Sequence, residues 1–338
     1  MKLASNSRII TVAVFFTIVI QLTNADDKMN ALILEAKSGN VSAQKELSEK
    51  YYEGKDTIKD LSKAFIWCNE AAKQGDVVAQ FNMGVLYYEG KAVQKDYKKA
   101  FTWYTKASKQ KDADAQYNIG LMYHKGQGVP QDYQRAILWY TKAAELGHLD
   151  AQFNLGHLYY DDQGIPKDFK LAAYWFTKSA ELGFAESQFN LGLMYYEGQV
   201  GPQDFRKALF WYTKAANQDG GEANYNLGQM YYDGQGVSKD LVKAFQYFKK
   251  AAELYQVDAL YNLCVMYYRG QGVQKDFKKA YEWNYLAAEK GDPKAAANKN
   301  LIASKLTLKE QQNAEQEAKA IMKAIEQNKK EIKGKFRK

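Results

Sequence analysis

The chain has 338 residues, with 26 tyrosines, 24 glycines and only 4 prolines. That aromatic content excludes a disordered chain and suits many short helices broken by glycine turns. The formal charge of +8 is uneven: residues 293–338 hold 12 basic and 5 acidic residues, and the body between them and the N-terminal segment is close to neutral. General nucleic-acid binding needs a basic face on the fold, and this body offers no such excess.

Residues 1–25 read as a signal peptide. Lys2 and Arg8 give a charged start, Ile9 to Leu22 is apolar, and Thr23-Asn24-Ala25 places small residues before Asp26. The apolar run is shorter than the ~20 residues of a membrane span. The alternative is an uncleaved N-terminal anchor. Either reading predicts export of the chain from Asp26 onward, to a periplasmic, secreted or cell-surface location. In a eukaryote the same signal would lead into the endoplasmic reticulum and secretory pathway. Residues 26–40 form an N-terminal cap segment.

From residue 41 to 292 the chain repeats seven times with a period of 36. An aspartate column is complete: Asp60, Asp96, Asp132, Asp168, Asp204, Asp240 and Asp276. So are a tyrosine column running from Tyr51 to Tyr267 and an alanine column running from Ala64 to Ala280. A tryptophan column holds Trp67, Trp103, Trp139, Trp175, Trp211 and Trp283, with Tyr247 in the sixth repeat. In the third repeat, Ala115, Ile119, Met122 and Tyr123 fall at helical spacing. Gly126-Gln127-Gly128 then supplies a turn. Asp132 is placed to cap a second helix, whose buried stripe is Ala136, Trp139, Tyr140 and Ala143. Gly147 ends that helix with a left-handed cap. Such units cannot bury their own apolar faces and must stack.

The end repeats depart from the pattern. The first-helix glycine column (Gly84, Gly120, Gly156, Gly192, Gly228) becomes Ser48 in the first repeat and Cys264 in the seventh. The cysteines Cys68 and Cys264 lie in these same end repeats. They are separated by too many stacked helices for a disulfide and read as small buried hydrophobes. Gly221, directly after Asp219-Gly220, predicts a loosened joint before the sixth repeat. Residues 293–338 predict C-terminal capping helices: Pro293 to Leu301 restarts a first helix, and Thr307 with Glu310 has capping-box spacing. The last helix carries an apolar stripe at Ala318, Ile321, Met322, Ile325 and Ile332, resembling a coiled-coil element, and ends in a basic tail.

The pattern A-x-A-Q-x-N-L-G-x-x-Y-x-x-G-x-G-V-x-x-D-x-x-K-A-x-x-W-x-x-K-A-A-x-x-G, nearly complete in Ala113–His148 and Leu149–Phe184, resembles the Sel1-like repeat family, itself related to tetratricopeptide repeats. The resemblance implies an all-α, right-handed α/α superhelical solenoid of helix-turn-helix repeats. It further implies an adaptor or scaffold for proteins, similar in exported bacterial members to envelope and host-interaction factors and in eukaryotic ones to recruiting components of endoplasmic-reticulum degradation. Some cysteine-rich relatives are credited with penicillin binding or β-lactam hydrolysis. Those carry a cysteine pair in each repeat, which this chain lacks, so the activity stands only as the alternative.

Residues that could carry chemistry are few. The histidines are His124, His148 and His157, and only His157 has a carboxylate one turn on, Asp161; two ligands do not make a metal site. Ser42-Ala43-Gln44-Lys45 and Ser108-Lys109-Gln110-Lys111 fit S-x-x-K without its companion motifs. No cofactor motif is present, and the chain reads as non-enzymatic.

The binding expectation rests on first-helix columns that line the concave groove of tetratricopeptide proteins. One is Asn82, Asn118, Asn154, Asn190, Asn226 and Asn262, whose carboxamides can both donate to and accept from a peptide backbone. Another is Tyr52, Tyr88, His124, Tyr160, Tyr196, Tyr232 and Tyr268, and a third runs from Phe81 to Tyr261. The competing reading is architectural: the asparagines bond neighbouring helices and the rings pack between repeats. Specificity for a partner protein or extended peptide is expected from a varying column: Glu49, Val85, Leu121, His157, Leu193, Gln229, Val265. The basic tail (Lys329, Lys330, Lys333, Lys335, Arg337, Lys338) predicts a weak contact with an anionic surface.

Overall fold

The structure is a computed structural model that describes residues 27–162 and 164–335, with side chains to residue 327. The signal-peptide expectation for residues 1–25 and the charged groups of the basic tail lie outside the described residues. Among the described residues there are helices and no strand. None of these helices is long and apolar enough to cross a membrane.

Two compact units divide the chain at Gln152 and Phe153. In the first unit residues 27–37 form α1. It is followed by α2 (Val41–Glu53), α3 (Leu61–Lys73), α4 (Val77–Glu89), α5 (Tyr97–Ser108), α6 (Ala113–Lys125) and α7 (Tyr133–Glu145). From α2 to α7 each helix packs on the next, so first and second helices of the repeats alternate. Helix α8 (Leu149–Tyr160) carries the division. The second unit continues with α9 (Phe169–Glu181), α10 (Ala185–Glu197), α11 (Phe205–Ala216), α12 (Gly221–Asp233), α13 (Leu241–Glu253), α14 (Asp258–Arg269) and α15 (Phe277–Glu289), then α16 (Pro293–Ala303) and α17 (Leu308–Lys335). The fold is an all-α array of solenoid type.

The helix signals act as the sequence predicts. Every aspartate of the complete column caps its second helix; Asp132, for example, accepts from the Arg135 amide at 2.9 Å. These bonds favour the carboxylate, and the amide of Lys99 holds Asp96 below the usual carboxylate range. Gly126 closes α6 with φ 67°. Gly128 follows at φ 75°, and an added Cβ there would stand 2.7 Å from the Tyr97 backbone carbonyl, so the turn needs glycine for space as well as for conformation.

The second-helix stripe needs one correction. Trp139 is half-buried, whereas Tyr140 beside it is wholly enclosed. The same holds for the rings Tyr104, Phe176, Tyr212 and Phe248, each directly after the tryptophan column. These rings lie flat on the first-helix glycines: a Cβ on Gly120 would come within 2.6 Å of Tyr140 Cδ1. The glycine column is therefore a seat for the ring. Three of the tryptophans instead sit under lysines: Lys106 Nζ is 4.0 Å from the Trp103 ring centre, Lys142 Nζ is 4.2 Å from that of Trp139, and Lys214 Nζ is 5.3 Å from that of Trp211.

An irregular joint follows the one expected before the sixth repeat. Gly221 opens α12 behind Gly220, in extended backbone and without a side-chain cap, after Asp219 at φ 60°. One repeat later α14 starts behind Val257 in helical backbone, φ −65° and ψ −38°, where α12 starts behind Gly220 in extended backbone. Position 255 belongs to a left-handed column that is glycine at 39, 75, 147, 183 and 291, but Lys111, Asp219 and Tyr255 elsewhere.

Both ends are closed by extra helices. Gln44 Nε2 donates to Ala36 O of α1 at 3.0 Å. At the other end α17 packs along α15 and buries Ala314, Ala318 and Ile325, and its start is the predicted capping box, with Thr307 N donating to Glu310 Oε2 at 2.7 Å. Cys68 and Cys264 are buried and free. Burial pushes the thiols up to about 11 and about 12, so both stay neutral.

Candidate functional site: the first-helix face

The first helix of each repeat turns its asparagine and tyrosine columns to a half-exposed face. Each unit uses these groups partly for itself. In the first unit Tyr88 donates to Gln127 Oε1 at 2.6 Å and Lys91 Nζ donates to the Tyr52 hydroxyl at 3.3 Å. In the second, Tyr196 donates to Gln235 at 2.9 Å, Tyr232 donates to Gln271 at 3.0 Å, and Gln199 donates to the Tyr160 hydroxyl at 3.3 Å. All of these partners are 39 residues apart, so a ring on one repeat is pinned by the turn of the next. Four tyrosines of this column also meet an aromatic edge in their own repeat: Tyr88 with Tyr97, Tyr160 with Phe169, Tyr196 with Phe205, and Tyr268 with Phe277. These tyrosines are held pieces of the surface, fixed at the hydroxyl or at the ring edge.

The asparagines divide by place. Asn82 is exposed. Asn118 and Asn154 are half-buried, and Asn118 Nδ2 bonds the Asp114 carbonyl of its own helix at 2.8 Å. Asn190 Nδ2 lies 3.4 Å from His157 Nε2, Asn226 lies beside the Tyr212 hydroxyl, and Asn262 lies beside that of Tyr225. The column runs one step further than the sequence reading took it: Asn298 on α16 donates to the Tyr261 hydroxyl at 3.0 Å. Most of these carboxamides thus join helices while staying partly open to solvent. His157 Nδ1 stands 3.5 Å from Asp161 Oδ2, the pair singled out by spacing.

Beneath this face runs a ladder that sequence reasoning missed. Gln80 Nε2 donates to Ala72 O at 3.2 Å, and Gln188 Nε2 donates to Ala180 O at 3.0 Å. Their oxygens are met in turn by Gln110 at 3.0 Å and Gln218 at 2.9 Å, thirty residues on. The signal was available as a second glutamine column at 74, 110 and 218.

A depression of side-chain depth lies on this face in the first unit. A cavity of about 330 Å³ opens between α2, α3 and α4, with Ser48, Cys68 and Ala64 at its floor and Tyr52, Asn82 and Val85 among its walls. Four of the residues flagged on sequence grounds meet here: Asn82, Tyr52, Glu49 and Val85. Its origin is a failure of the ring column. Position 68, which precedes Tyr104 by 36 residues, is cysteine.

The Sel1 repeat pattern matches residues 41–76, 77–112, 113–148, 149–184, 185–220, 221–255 and 257–292. The interruption at residue 256 coincides with the left-handed Tyr255. No curated protein matches the chain. Among solved structures it is similar to c5321, a protective antigen present in uropathogenic Escherichia coli strains displaying an SLR fold, with 31% identity over 88% of this chain and 72% of that one, and a TM-score of 0.58. It is also similar to a Sel1 repeat protein from Oxalobacter formigenes, with 30% identity over 72% of this chain and 96% of that one, and a TM-score of 0.58. The chain belongs to the Sel1 repeat family.

Proposed function

We propose that this protein is an exported, non-catalytic scaffold that binds a partner protein or an extended peptide on the first-helix face of its repeats, in envelope function or host interaction. Repeat arrays of this kind generally serve as protein-binding scaffolds, because stacking yields an extended ordered surface. The observation that carries the reading is the pinned tyrosine column. Rings held by turn residues of the next repeat lose little further freedom when a partner arrives, so less of the contact energy goes into ordering them. The half-open carboxamides beside them can take up a backbone's donors and acceptors. Export rests on the charged, apolar and small-residue order of residues 1–25, and the description of c5321 as an antigen concerns that protein alone. The basic tail adds weak attraction to an anionic surface on this reading.

The test has two arms. Cell fractionation of a tagged chain should place it outside the cytoplasm with residues 1–25 removed, and a cytoplasmic, full-length product would refute export. Photo-crosslinking from positions 118 and 226 should trap a partner that variants with Tyr88, Tyr196 and Tyr232 changed to alanine no longer hold. Retention by those variants would refute this face as the binding surface.

A further inference from the structure

In the five inner repeats the space between the first helix and the second is filled by the chain's own ring, seated on glycine. The two end repeats lack that ring. In the seventh, Asn284 takes its place and is wholly buried; its Nδ2 donates to Ala295 O of α16 at 3.0 Å, so the neighbouring cap fills the space from within. In the first repeat nothing among the described residues does so, and the cavity floored by Ser48 and Cys68 is open. Resting on the scaffold reading above, we infer that this cavity receives one aromatic side chain, a tyrosine, from the bound polypeptide.

The chain's own rings indicate the chemistry. The Tyr140 hydroxyl lies 3.3 Å from His124 Nδ1, and Asn226 is the carboxamide beside the Tyr212 hydroxyl, though it makes no hydrogen bond of good geometry with it. The residues at these two columns in the first repeat's surroundings are Tyr52 and Asn82, and both line the cavity. A phenol entering here would find at its hydroxyl the kinds of group that the inner repeats place at theirs. The floor asks for nothing polar. Ser48 Oγ already donates to Ala64 O at 3.0 Å, and the Cys68 thiol lies 3.4 Å from Ala79 O. Ser48 has a Cβ where the inner repeats have none, so an incoming ring stands further out than Tyr104 or Tyr140 does, against Val85 and Leu86. The volume of about 330 Å³ sits at the low end of small-ligand sites, which run from roughly 300 to 1,000 Å³. A polypeptide is the source because Asn82 and Tyr52 begin the columns that continue through Asn118 and Tyr88. A chain lying on this face passes the mouth of the cavity.

The experiment titrates the full chain with 4-methylphenol, and with two capped pentapeptides, Gly-Gly-Tyr-Gly-Gly and Gly-Gly-Leu-Gly-Gly, by calorimetry and saturation-transfer NMR. Saturable binding of 4-methylphenol and of the tyrosine peptide is expected, with the leucine peptide at least tenfold weaker. The double variant Ser48→Gly/Cys68→Tyr installs the inner repeats' glycine and ring, and should lower both affinities at least tenfold with its helical circular dichroism retained. Should that variant not fold, Asn82→Leu serves: it should weaken 4-methylphenol severalfold and leave toluene unchanged. Absence of saturable binding to the native chain, or equal affinity in the double variant, overturns the inference. Binding of 4-methylphenol without the tyrosine peptide overturns the polypeptide occupant. A partner protein held equally well by the double variant would remove this pocket and leave the scaffold standing. A tyrosine peptide bound by the native chain, with no protein partner, would do the reverse.

Discussion

Leu146→Gln should stabilise the first unit although it adds a polar side chain where an apolar one stands. The buried Oε1 of Gln116 has no partner. Gln44, Gln80 and Gln188 sit in the same column, and each receives a bond from a glutamine thirty residues on, at 2.8, 3.0 and 2.9 Å. At that offset from Gln116 the chain has Leu146, half exposed at 49%. The same loss recurs in the second unit, where the Asn224 oxygen is unpartnered and Leu254 stands thirty residues on. An unsatisfied buried acceptor costs about 1–3 kcal/mol, and a neutral hydrogen bond returns about 0.5–1.5 kcal/mol net. Ordering a glutamine side chain takes back part of this. A gain of about 0.5–1.5 kcal/mol remains, which shifts a urea midpoint upward by a few tenths of a molar. Urea unfolding followed by tryptophan fluorescence reads it, with Leu138→Gln as the control, an exposed leucine on α7 outside the ladder. The gain should vanish in a Gln116→Leu background, the residue that Leu260 supplies naturally in this column. A Leu146→Gln gain that persists in that background, or that Leu138→Gln matches, refutes the reasoning.

The remaining predictions test the ring seat, a strained cap and the C-terminal latch. Gly120→Ser and Tyr140→Cys should each destabilise, by about 1–3 kcal/mol for overpacking and about 3–5 kcal/mol for loss of the ring. Made together they recreate the Ser48 and Cys68 pair, and a double-mutant cycle in chemical denaturation should show a combined cost below the sum; additivity would mean that ring and glycine are independent. Lys111→Gly removes an L-residue from φ 62° and should raise the thermal midpoint, the strain being about 1–2 kcal/mol; a lowered midpoint would count against it. Glu282 on α15 is pushed up to about 7, chiefly by burial and then by the Glu317 carboxylate on α17, with Lys278 opposing. Its pKa is raised above the unfolded value, so the folded state is favoured below about pH 4.5 and that advantage is lost as pH rises toward 7. Attachment of α17 should therefore weaken between pH 5 and 8 by hydrogen exchange, and Glu282→Gln should flatten the dependence; an unchanged profile would exclude Glu282 as its source.

Features were legible in the sequence where one column sufficed to specify them. The aspartate caps were, because a cap is local: Asp132 needs only the Arg135 amide three residues on. Trp139 and Tyr140 could not be separated by pattern, since both are large, apolar and adjacent. Which one goes inside depends on the glycine of the opposite helix. The tyrosine and glutamine ladders join columns 39 and 30 residues apart, offsets that straddle two repeats and are not set by the period of 36. Of the binding expectation, the helical positions were legible. The occupation of those side chains by neighbouring helices was not, because it is decided by stacking.

Regularity and information pull apart in such an array. A column that repeats without change must satisfy the stacking of every neighbour, and the asparagines, tyrosines and seated rings do that work. A partner can be told from other proteins only where neighbouring repeats differ. The cavity at Ser48 and Cys68 is such a place, and it arises from two changes that make sense only together. A cysteine alone would leave an unfilled space beside a glycine, which loses dispersion contacts on both sides. A serine alone would press its Cβ into a ring. Together they keep the helix pair closed at its floor and open at its mouth. The seventh repeat makes the parallel pair, Cys264 with Asn284, and seals it with α16. Among the described residues, capping by itself therefore accounts for the filled space of the seventh repeat and leaves the open cavity of the first unexplained, which is the strongest physical ground for reading the first repeat as a site.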